Sequence, residues 1–296
     1  MRMLVTGREG QVVRSLVECG EASGVEVVAL GRPELDLSTP AEDILAAIAA
    51  AHPDVIVSAA AYTAVDKAES DEEAAFAINA RGAGAVAKAA ATLGVPLIHI
   101  STDYVFDGRK DEPYREDDPT GPTGVYGSSK LAGEQAVLAA HDDVAILRTA
   151  WVYSPFGANF VKTMLRLGQS HDEVRVVADQ IGNPTSALDI AAGIIAVARN
   201  LVADRDAKLR GVFHMTAAGE ASWAEFADAV FAAASAQGAP SATVVPITTA
   251  DYPVAATRPP NSRLNCEKLA AAHGVSLPDW HGSAALVVER LLHAPS

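Results

Sequence analysis

The chain has little cysteine, few basic residues and no long uncharged apolar run, and each shortage excludes a class of protein. Its two cysteines, Cys19 and Cys266, have no metal-like spacing and fit a reducing compartment. With 23 Lys and Arg against 37 Asp and Glu, the net charge is −14, which argues against nucleic acid or an anionic membrane surface as a bulk partner. No apolar run approaches the roughly 18–20 residues that a membrane span needs, and residues 1–5 run into a strand pattern without a signal-peptide cleavage site. The composition therefore predicts a cytoplasmic protein.

What the first half does contain is an alternation of short β-branched runs and alanine-rich helical stretches. This alternation is typical of a parallel sheet that helices cover on both faces, so we predict an α/β fold with a doubly wound parallel sheet. The predicted helices are residues 11–18, 41–51 and 72–93. The predicted strands are residues 3–6, 25–30, 55–59, 97–101 and 145–149, and later strands at 174–178 and 212–215 are expected to join the same sheet.

The pattern changes after residue 150. Residues 151–166, 179–189 and those after 216 are less regular and richer in Pro, Gly, Asn and Trp. We therefore predict a first domain at 1–150, which the later strands join, and a smaller, discontinuous α/β domain within 151–296. The main segments of this second, substrate-binding domain are residues 151–172, 179–190 and 217–296.

A glycine pair marks the first strand–helix junction. Gly7 and Gly10 let the backbone turn tightly and approach a pyrophosphate, whose charge then lies on the exposed N–H groups of the helix N-terminus. Gln11 and Val12 are the first helical residues there and are expected cofactor contacts. A third glycine of this pattern would fall where the chain has Val13, so we expect altered helix packing rather than a lost phosphate contact. An ordinary strand–helix turn is the alternative interpretation.

The second strand is followed by Gly31 and Arg32, without the acidic residue that would hold a ribose diol. Arg32 suits a ribose 2′-phosphate instead, and Arg8 in the glycine loop favours the same ligand. The predicted cofactor is therefore NADPH, with NADH as the alternative, although Arg32 can also be read as a plain surface charge. We expect Asp36 and Leu37 to hold the adenine, and further cofactor contacts to come from the stretch after the third strand: Ala61, Tyr62 and Thr63.

Tyr126 and Lys130 are four residues apart, and on a helix they share one face. There the ammonium can lower the pKa of the phenol, so that the phenol donates and recovers a proton near neutral pH. Thr102 follows the apolar strand pattern ahead of them, and its hydroxyl can act as a donor. The glycine pair, then Thr102, then Tyr126 with Lys130, in this order along the chain, predict a nicotinamide-dependent carbonyl reductase. The simpler alternatives are a buried core phenol for Tyr126 and a strand-end cap for Thr102.

Several segments that together span nearly the whole chain resemble the extended short-chain dehydrogenase/reductase family. They are AAAYTAVDKAES at 59–70, STDYVF at 101–106, VYGSSKLAGE at 125–134, RTAWVY at 148–153, NFVKTMLR at 159–166, DQIGNPT at 179–185 and RPPNSRL at 258–264. The resemblance implies a Rossmann-type fold. Within the family it implies NAD(P)H-dependent reduction of the C4 keto group of dTDP-4-dehydro-L-rhamnose to dTDP-L-rhamnose, the last step of dTDP-rhamnose biosynthesis.

The resemblance also assigns roles to single residues. Thr102 is expected to hydrogen-bond the substrate carbonyl, Tyr126 to protonate its oxygen, and Lys130 to hold the nicotinamide ribose and keep the pKa of the tyrosine low. The implied contacts with the dTDP-sugar substrate are Asp103 to sugar hydroxyls, Trp151 as an apolar platform, and three cations for the diphosphate: Lys162, Arg258 and Arg263.

No catalytic metal is expected, because the histidines form no spaced ligand set. The resemblance allows a homodimer, but Ser15 stands on the first helix where a metal-bridged dimer would need an acid. Two other functions stay open. An epimerase or dehydratase of the same fold is disfavoured by the missing acid after the second strand. A cofactor-binding partner without catalysis, like the regulatory subunit of methionine adenosyltransferase, is disfavoured by the complete set of Thr102, Tyr126 and Lys130.

Overall fold

The computed structural model describes residues 1–293. Its strands, in chain order, are β1 (Arg2–Thr6), β2 (Glu26–Leu30), β3 (Val55–Ser58), β4 (Leu97–Thr102), β5 (Val144–Thr149), β6 (Val152–Tyr153), β7 (Glu173–Val177), β8 (Ile181–Gly182), β9 (Thr185–Ser186), β10 (Gly211–His214), β11 (Ala221–Ser222) and β12 (Thr243–Ile247). Its helices are α1 (Gln11–Ala22), α2 (Ala41–Ala50), α3 (Val65–Ala68), α4 (Glu72–Phe76), α5 (Ala83–Leu93), α6 (Val125–Ala140), α7 (Phe160–Gly168), α8 (Ala187–Ala203), α9 (Trp223–Ala236), α10 (Glu267–His273) and α11 (Trp280–Leu292). A π-helical stretch, Ala77–Gly82, joins α4 to α5.

A parallel sheet with the strand order β10-β5-β4-β3-β1-β2 forms the centre of the molecule. The inner strands are buried along nearly their whole length because helices cover both faces. The chain leaves β1 for β2 on one side and returns to its other side for β3, so the strand order reverses between β1 and β3. Ligands of doubly wound sheets bind outside the carboxyl ends of the strands at such a point. The predicted Rossmann-type fold is confirmed.

Separate apolar clusters account for the packing. One cluster joins the sheet to α1 and α8, and another joins its opposite face to α2, α5 and α6. A further cluster lies outside the sheet, among α7, α9, α11 and β7, and includes Tyr153, Phe226 and Trp280. Each fully buried large apolar side chain in these clusters contributes about 1.5–3 kcal/mol relative to leaving it exposed.

The strand predicted at 174–178 does not join the central sheet, and that prediction is wrong. β7 pairs in parallel with β12, whereas β10, predicted at 212–215, does pair with β5. The physical reason is that β7 alternates exposed and buried residues, with Arg175 exposed at its middle. Such a strand can be covered on one face only, whereas a place inside the central sheet needs burial on both faces.

The predicted division into two domains is supported in part by the packing. The first 150 residues supply β1 to β5 of the central sheet. However, Leu269 and Val275, which lie in a segment assigned to the second domain, pack into the cluster that covers the sheet. The division therefore stays a prediction.

Candidate active site

The glycine pair shapes the backbone at the carboxyl end of β1. Gly7 has a φ of +103°, which residues with a side chain rarely adopt, and its N–H donates to the Leu30 carbonyl at 2.5 Å. Val13, at the place of the third glycine, packs beneath it: a Cβ on Gly7 would lie 3.3 Å from Val13 Cγ2. Gly10 precedes α1, and within residues 1–293 no side chain caps the first N–H groups of this helix. These donors are therefore available to an anion.

Two adjoining clefts of about 480 and 540 Å³ run along the carboxyl edge of the sheet and share Gly10, Ala59 and Ala61. Together they form one groove, and the cleft of 540 Å³ is called the main cleft below. The small side chains after β3 keep this groove open. Arg8 and Arg32 border one end, and buried polar side chains border the other. A long groove that passes an uncapped helix N-terminus fits an extended dinucleotide with its diphosphate at α1.

Most of the predicted cofactor residues line this groove, namely Gly7, Gly10, Gln11, Val12, Arg32, Asp36, Leu37, Ala61 and Thr63. Tyr62 does not, because its hydroxyl donates to Asp71 Oδ2 at 3.0 Å and turns the ring away. The carboxylate of Asp36 already accepts from the N–H and the hydroxyl of Ser38, at 2.9 and 2.7 Å. Both bonds are to Oδ1, so only Oδ2, which lies 3.9 Å from Arg32 Nε, is open to an adenine amine.

Gln11 lines the groove, but its side chain makes contacts that the sequence did not predict. Its Nε2 donates to the Val152 carbonyl at 3.3 Å, and its Oε1 accepts from Ser154 at 2.8 Å and from Asn159 at 3.1 Å. The side chain thus connects the start of α1 to the loop before α7, across the cleft. The glycine motif that singled out Gln11 is local in sequence, so it did not predict these distant partners.

Thr102, Tyr126 and Lys130 come together at the other end of the groove. Thr102 ends β4, and the tyrosine and lysine lie in the first turns of α6. Gly127 allows this approach, because a Cβ there would collide with the Tyr104 carbonyl in the turn that follows β4. Thr102 and Lys130 are buried by this packing, and Tyr126 is half-buried.

The groups that shift the pKa of the Tyr126 phenol differ from those expected from the sequence. Burial and the nearby Asp103 raise the pKa of Tyr126, whereas a hydrogen bond with Thr102 lowers it. Lys130 is not among the groups that lower this pKa, so the prediction that it does is not met in this structure. The physical reason is that its Nζ donates to the Ile100 carbonyl at 2.7 Å. Burial lowers the pKa of Lys130 itself to about 8, against a raising effect of Glu134.

Asp103 is buried behind the threonine. Thr102 Oγ1 donates to Asp103 Oδ1 at 2.8 Å, and burial raises the pKa of Asp103 to about 6 against hydrogen bonds from Ser262 and Thr102. A carboxylate held in this way orients the threonine hydroxyl. Asp103 also borders the cleft, and its predicted contact with sugar hydroxyls stays a prediction.

An aromatic platform forms the opposite wall. Trp151 stacks on Trp223 with ring centroids 3.6 Å apart and an angle of 8° between the planes, and both border the main cleft. Trp151 has a φ of +47°, and Gly182 lets its ring approach, since a Cβ on Gly182 would lie 2.5 Å from Trp151 Cε2. Trp151 was predicted from the sequence. Trp223 was missed, although it is one of only three tryptophans in the chain.

A further cleft of about 430 Å³ continues from this platform and shares Tyr104, Phe160 and Trp223 with the main cleft. Its other walls are largely apolar, and they carry the polar side chains Arg175, Gln180 and Arg258. Tyr104 was also missed, although it lies inside the STDYVF segment. Burial raises its pKa to about 12, and its ring meets that of Tyr126 edge-on at 5.4 Å.

The three predicted diphosphate cations have different positions. Arg258 borders the further cleft, where its Nη2 pairs with Asp66 Oδ2 at 2.6 Å. Lys162 borders none of the clefts described above. Arg263 also lies outside them and is committed to structural contacts, from Nε to Asn261 Oδ1 at 2.8 Å and from Nη1 to Glu220 Oε2 at 3.1 Å.

The described residues contain neither a metal-ligand group nor a membrane-spanning helix. Within residues 1–293, no group of three or more His, Cys, Asp or Glu side chains is arranged to hold a metal ion. In the same part of the chain, no helix has both the length and the apolar character needed to cross a bilayer.

The doubly wound sheet, the open glycine-bounded groove and the Thr–Tyr–Lys group at its end together define a nicotinamide-dependent oxidoreductase. Residues 1–293 match the family described as "RmlD substrate binding domain", and the chain belongs to this family. The family resemblance inferred from the sequence is thereby confirmed.

Three similar proteins, one curated and two of solved structure, carry the same name. A dTDP-4-dehydrorhamnose reductase from Sinorhizobium fredii is 51% identical over 292 residues, which cover 99% of this chain and 98% of the relative. The crystal structure of a dTDP-4-dehydrorhamnose reductase from Clostridium acetobutylicum matches with a TM-score of 0.91 at 37% identity, over 99% of this chain and 100% of that chain. The Bacillus anthracis dTDP-4-dehydrorhamnose reductase in complex with NADP matches with a TM-score of 0.90 at 35% identity, over 98% and 99%.

Proposed function

We propose that this chain reduces the C4 keto group of dTDP-4-dehydro-L-rhamnose to dTDP-L-rhamnose with NADPH, and with NADH as a second cofactor. The observation that carries the proposal is the position of Tyr126. This half-buried phenol lines the cleft that also holds the end of the dinucleotide groove and the aromatic platform. A keto sugar on the platform and a nicotinamide in the groove would therefore meet beside Tyr126.

The proposed chemistry divides between the cofactor and three side chains. Bound in the groove, the nicotinamide supplies the hydride for the keto carbon. Tyr126 donates its proton to the keto oxygen, and the raised pKa of this phenol keeps the proton in place at neutral pH until the oxygen becomes basic. Thr102 donates to the keto oxygen and orients the carbonyl, and to do so its single hydroxyl proton exchanges its present bond to Asp103 Oδ1. Lys130 holds the nicotinamide ribose by exchanging its present bond to the Ile100 carbonyl.

The proposed sugar-nucleotide pose follows the two connected clefts. The sugar lies on Trp151, between the platform and Tyr126, and the nucleoside occupies the further cleft with its apolar walls. Arg258 borders that cleft and is the proposed diphosphate ligand, which then replaces Asp66 as its partner. Lys162 and Arg263 are not part of this proposed pose.

Absorbance loss from NADPH, and separately from NADH, tests the function with freshly generated dTDP-4-dehydro-L-rhamnose. One equivalent of cofactor should be oxidised per keto sugar, with dTDP-L-rhamnose as the product. Tight cofactor binding without oxidation would contradict the proposal and favour a non-catalytic partner protein. Oxidation only with a different keto sugar would keep the reaction class and change the substrate.

We further propose a cytoplasmic location, which the two free thiols, Cys19 and Cys266, support because they suit a reducing compartment. A homodimer stays a prediction, and sedimentation velocity across a concentration range would test it.

A further inference from the structure

An ion pair lies at the ribose end of the dinucleotide groove. Arg8 Nη2 lies 2.6 Å from Glu34 Oε2, and the two side chains are 41% and 52% exposed. Arg8 belongs to the glycine loop and lines the groove together with Arg32. The guanidinium that should receive a 2′-phosphate is therefore already bound to a carboxylate.

Gly31 explains why the acid comes from Glu34 rather than from the end of β2. A Cβ on Gly31 would lie 3.1 Å from Arg8 Cγ, 3.2 Å from the Gly7 carbonyl carbon and 3.3 Å from the Arg8 backbone nitrogen. The stem of Arg8 thus packs directly over position 31, and a side chain there would displace it. The position that usually carries the diol-binding acid is closed, and a carboxylate reaches Arg8 from three residues further on.

This arrangement treats the two cofactors differently. A phosphate group carries about −1.5 to −2 charge near neutral pH, whereas the ribose diol of NADH is uncharged. To bind the phosphate, Arg8 must leave Glu34, and the freed carboxylate then stands near a group of like charge. The other cation at this end, Arg32, is 73% exposed and lies 3.9 Å from Asp36. Both guanidinium groups that suit the 2′-phosphate thus have acidic neighbours.

We propose that Glu34 sets the cofactor preference by competing with the 2′-phosphate for Arg8, which lowers the affinity for NADPH and leaves that for NADH unchanged. This specificity role rests on the proposed function, since it concerns the same groove. Glu34 lies outside the glycine motif, and it provides the discrimination between NADPH and NADH that the end of β2 cannot provide.

Titration calorimetry with two cofactor fragments isolates this end of the groove, because neither fragment carries a nicotinamide or needs turnover. Glu34→Gln should bind 2′,5′-ADP about fivefold tighter than the unmodified chain, with 5′-AMP affinity unchanged. Glu42→Gln removes one negative charge from α2 without touching Arg8 and is the matched control, for which neither affinity should change. An exposed ion pair contributes little to stability, so the variants should keep the melting temperature of the parent chain.

A double-mutant cycle shows whether the effect passes through the arginine. In an Arg8→Gln background, Glu34→Gln should change 2′,5′-ADP affinity by less than about twofold, since the competed group is gone. An equal gain for 5′-AMP, an equal gain in Glu42→Gln, or an undiminished gain in the Arg8→Gln background would each overturn the proposal. A parent chain that binds neither fragment would overturn the cofactor site itself, and the proposed function with it.

Discussion

The two walls of the cleft are held in place by different interactions. The cofactor wall is made from the ends of neighbouring strands and the first turns of α1 and α6, so the pairing of the central sheet sets its positions. The substrate wall is made from loops, α7, β7 and the start of α9; in it, Trp151 stacks on Trp223 and Arg258 pairs with Asp66. Its contacts join residues that lie far apart in the chain. We infer that the first wall tolerates side-chain changes and that the second depends on a few of them.

Tyr126, where the walls meet, should show the largest effect. Tyr126→Phe removes the proton donor and keeps the ring, so turnover should fall by about 10²–10⁴-fold, the usual contribution of one positioned acid. NADPH affinity should stay within about twofold, because the cofactor wall is intact. Stopped-flow turnover and fluorescence titration of NADPH measure the two quantities. Near-normal turnover would remove the phenol from the mechanism.

Arg258 tests the proposed diphosphate contact on the substrate wall. Arg258→Gln should raise the KM for the sugar nucleotide by about 10–100-fold, the value of a charge-assisted hydrogen bond of roughly 1.5–3 kcal/mol. Lys162→Gln is the matched control, since Lys162 borders none of the clefts, and it should leave the KM unchanged. The reverse outcome, with a large effect at Lys162 only, would mean that the diphosphate lies along α7 instead.

The tryptophan stack should have a smaller effect. Trp223→Ala removes the support behind Trp151, and an aromatic pair contributes about 0.5–1.5 kcal/mol beyond its burial, so kcat/KM should fall by roughly two- to tenfold. NADPH affinity should not change if the walls are independent. Trp223→Phe, which keeps a flat ring, should recover most of the loss. An equal loss of NADPH affinity would show that the two walls are coupled, for which the contacts of Gln11 provide a route.

The smallest expected effect concerns pH. Because burial lowers the pKa of Lys130 to about 8, its ammonium is charged below that pH and becomes neutral above it. NADPH affinity should therefore fall by about threefold between pH 7 and 9, as the charge at the nicotinamide ribose is lost. The affinity for 2′,5′-ADP, which does not extend to Lys130, should stay constant over the same range. A parallel fall for both ligands would assign the effect to another group.

The difference between the walls also decides how much could be predicted from the sequence. The strands of the central sheet, the glycine pair, and Thr102, Tyr126 and Lys130 follow local patterns, because parallel strands bring their carboxyl ends to one edge. Most of the predicted cofactor residues line the groove for the same reason.

The remaining features depend on partners that spacing does not reveal. β7 pairs with β12, which lies far along the chain, and the Arg263 side chain is taken up by Asn261 and Glu220. The side chain of Asp103 accepts from its own neighbour Thr102, and Trp223, at the start of α9, reaches the site by stacking on the distant Trp151. A sequence pattern identifies such residues but not the group that each one faces.

Transfer of deuterium from NADPH that carries deuterium at both positions of the nicotinamide C4 would test the central claim most directly. The account predicts that, with dTDP-4-dehydro-L-rhamnose, the sugar product carries one deuterium at its own C4 and that labelled cofactor is consumed in equal amount. Mass spectrometry and proton NMR of the isolated dTDP-L-rhamnose locate the label. A product without deuterium, or with deuterium at another carbon, would contradict a keto reduction between these two walls.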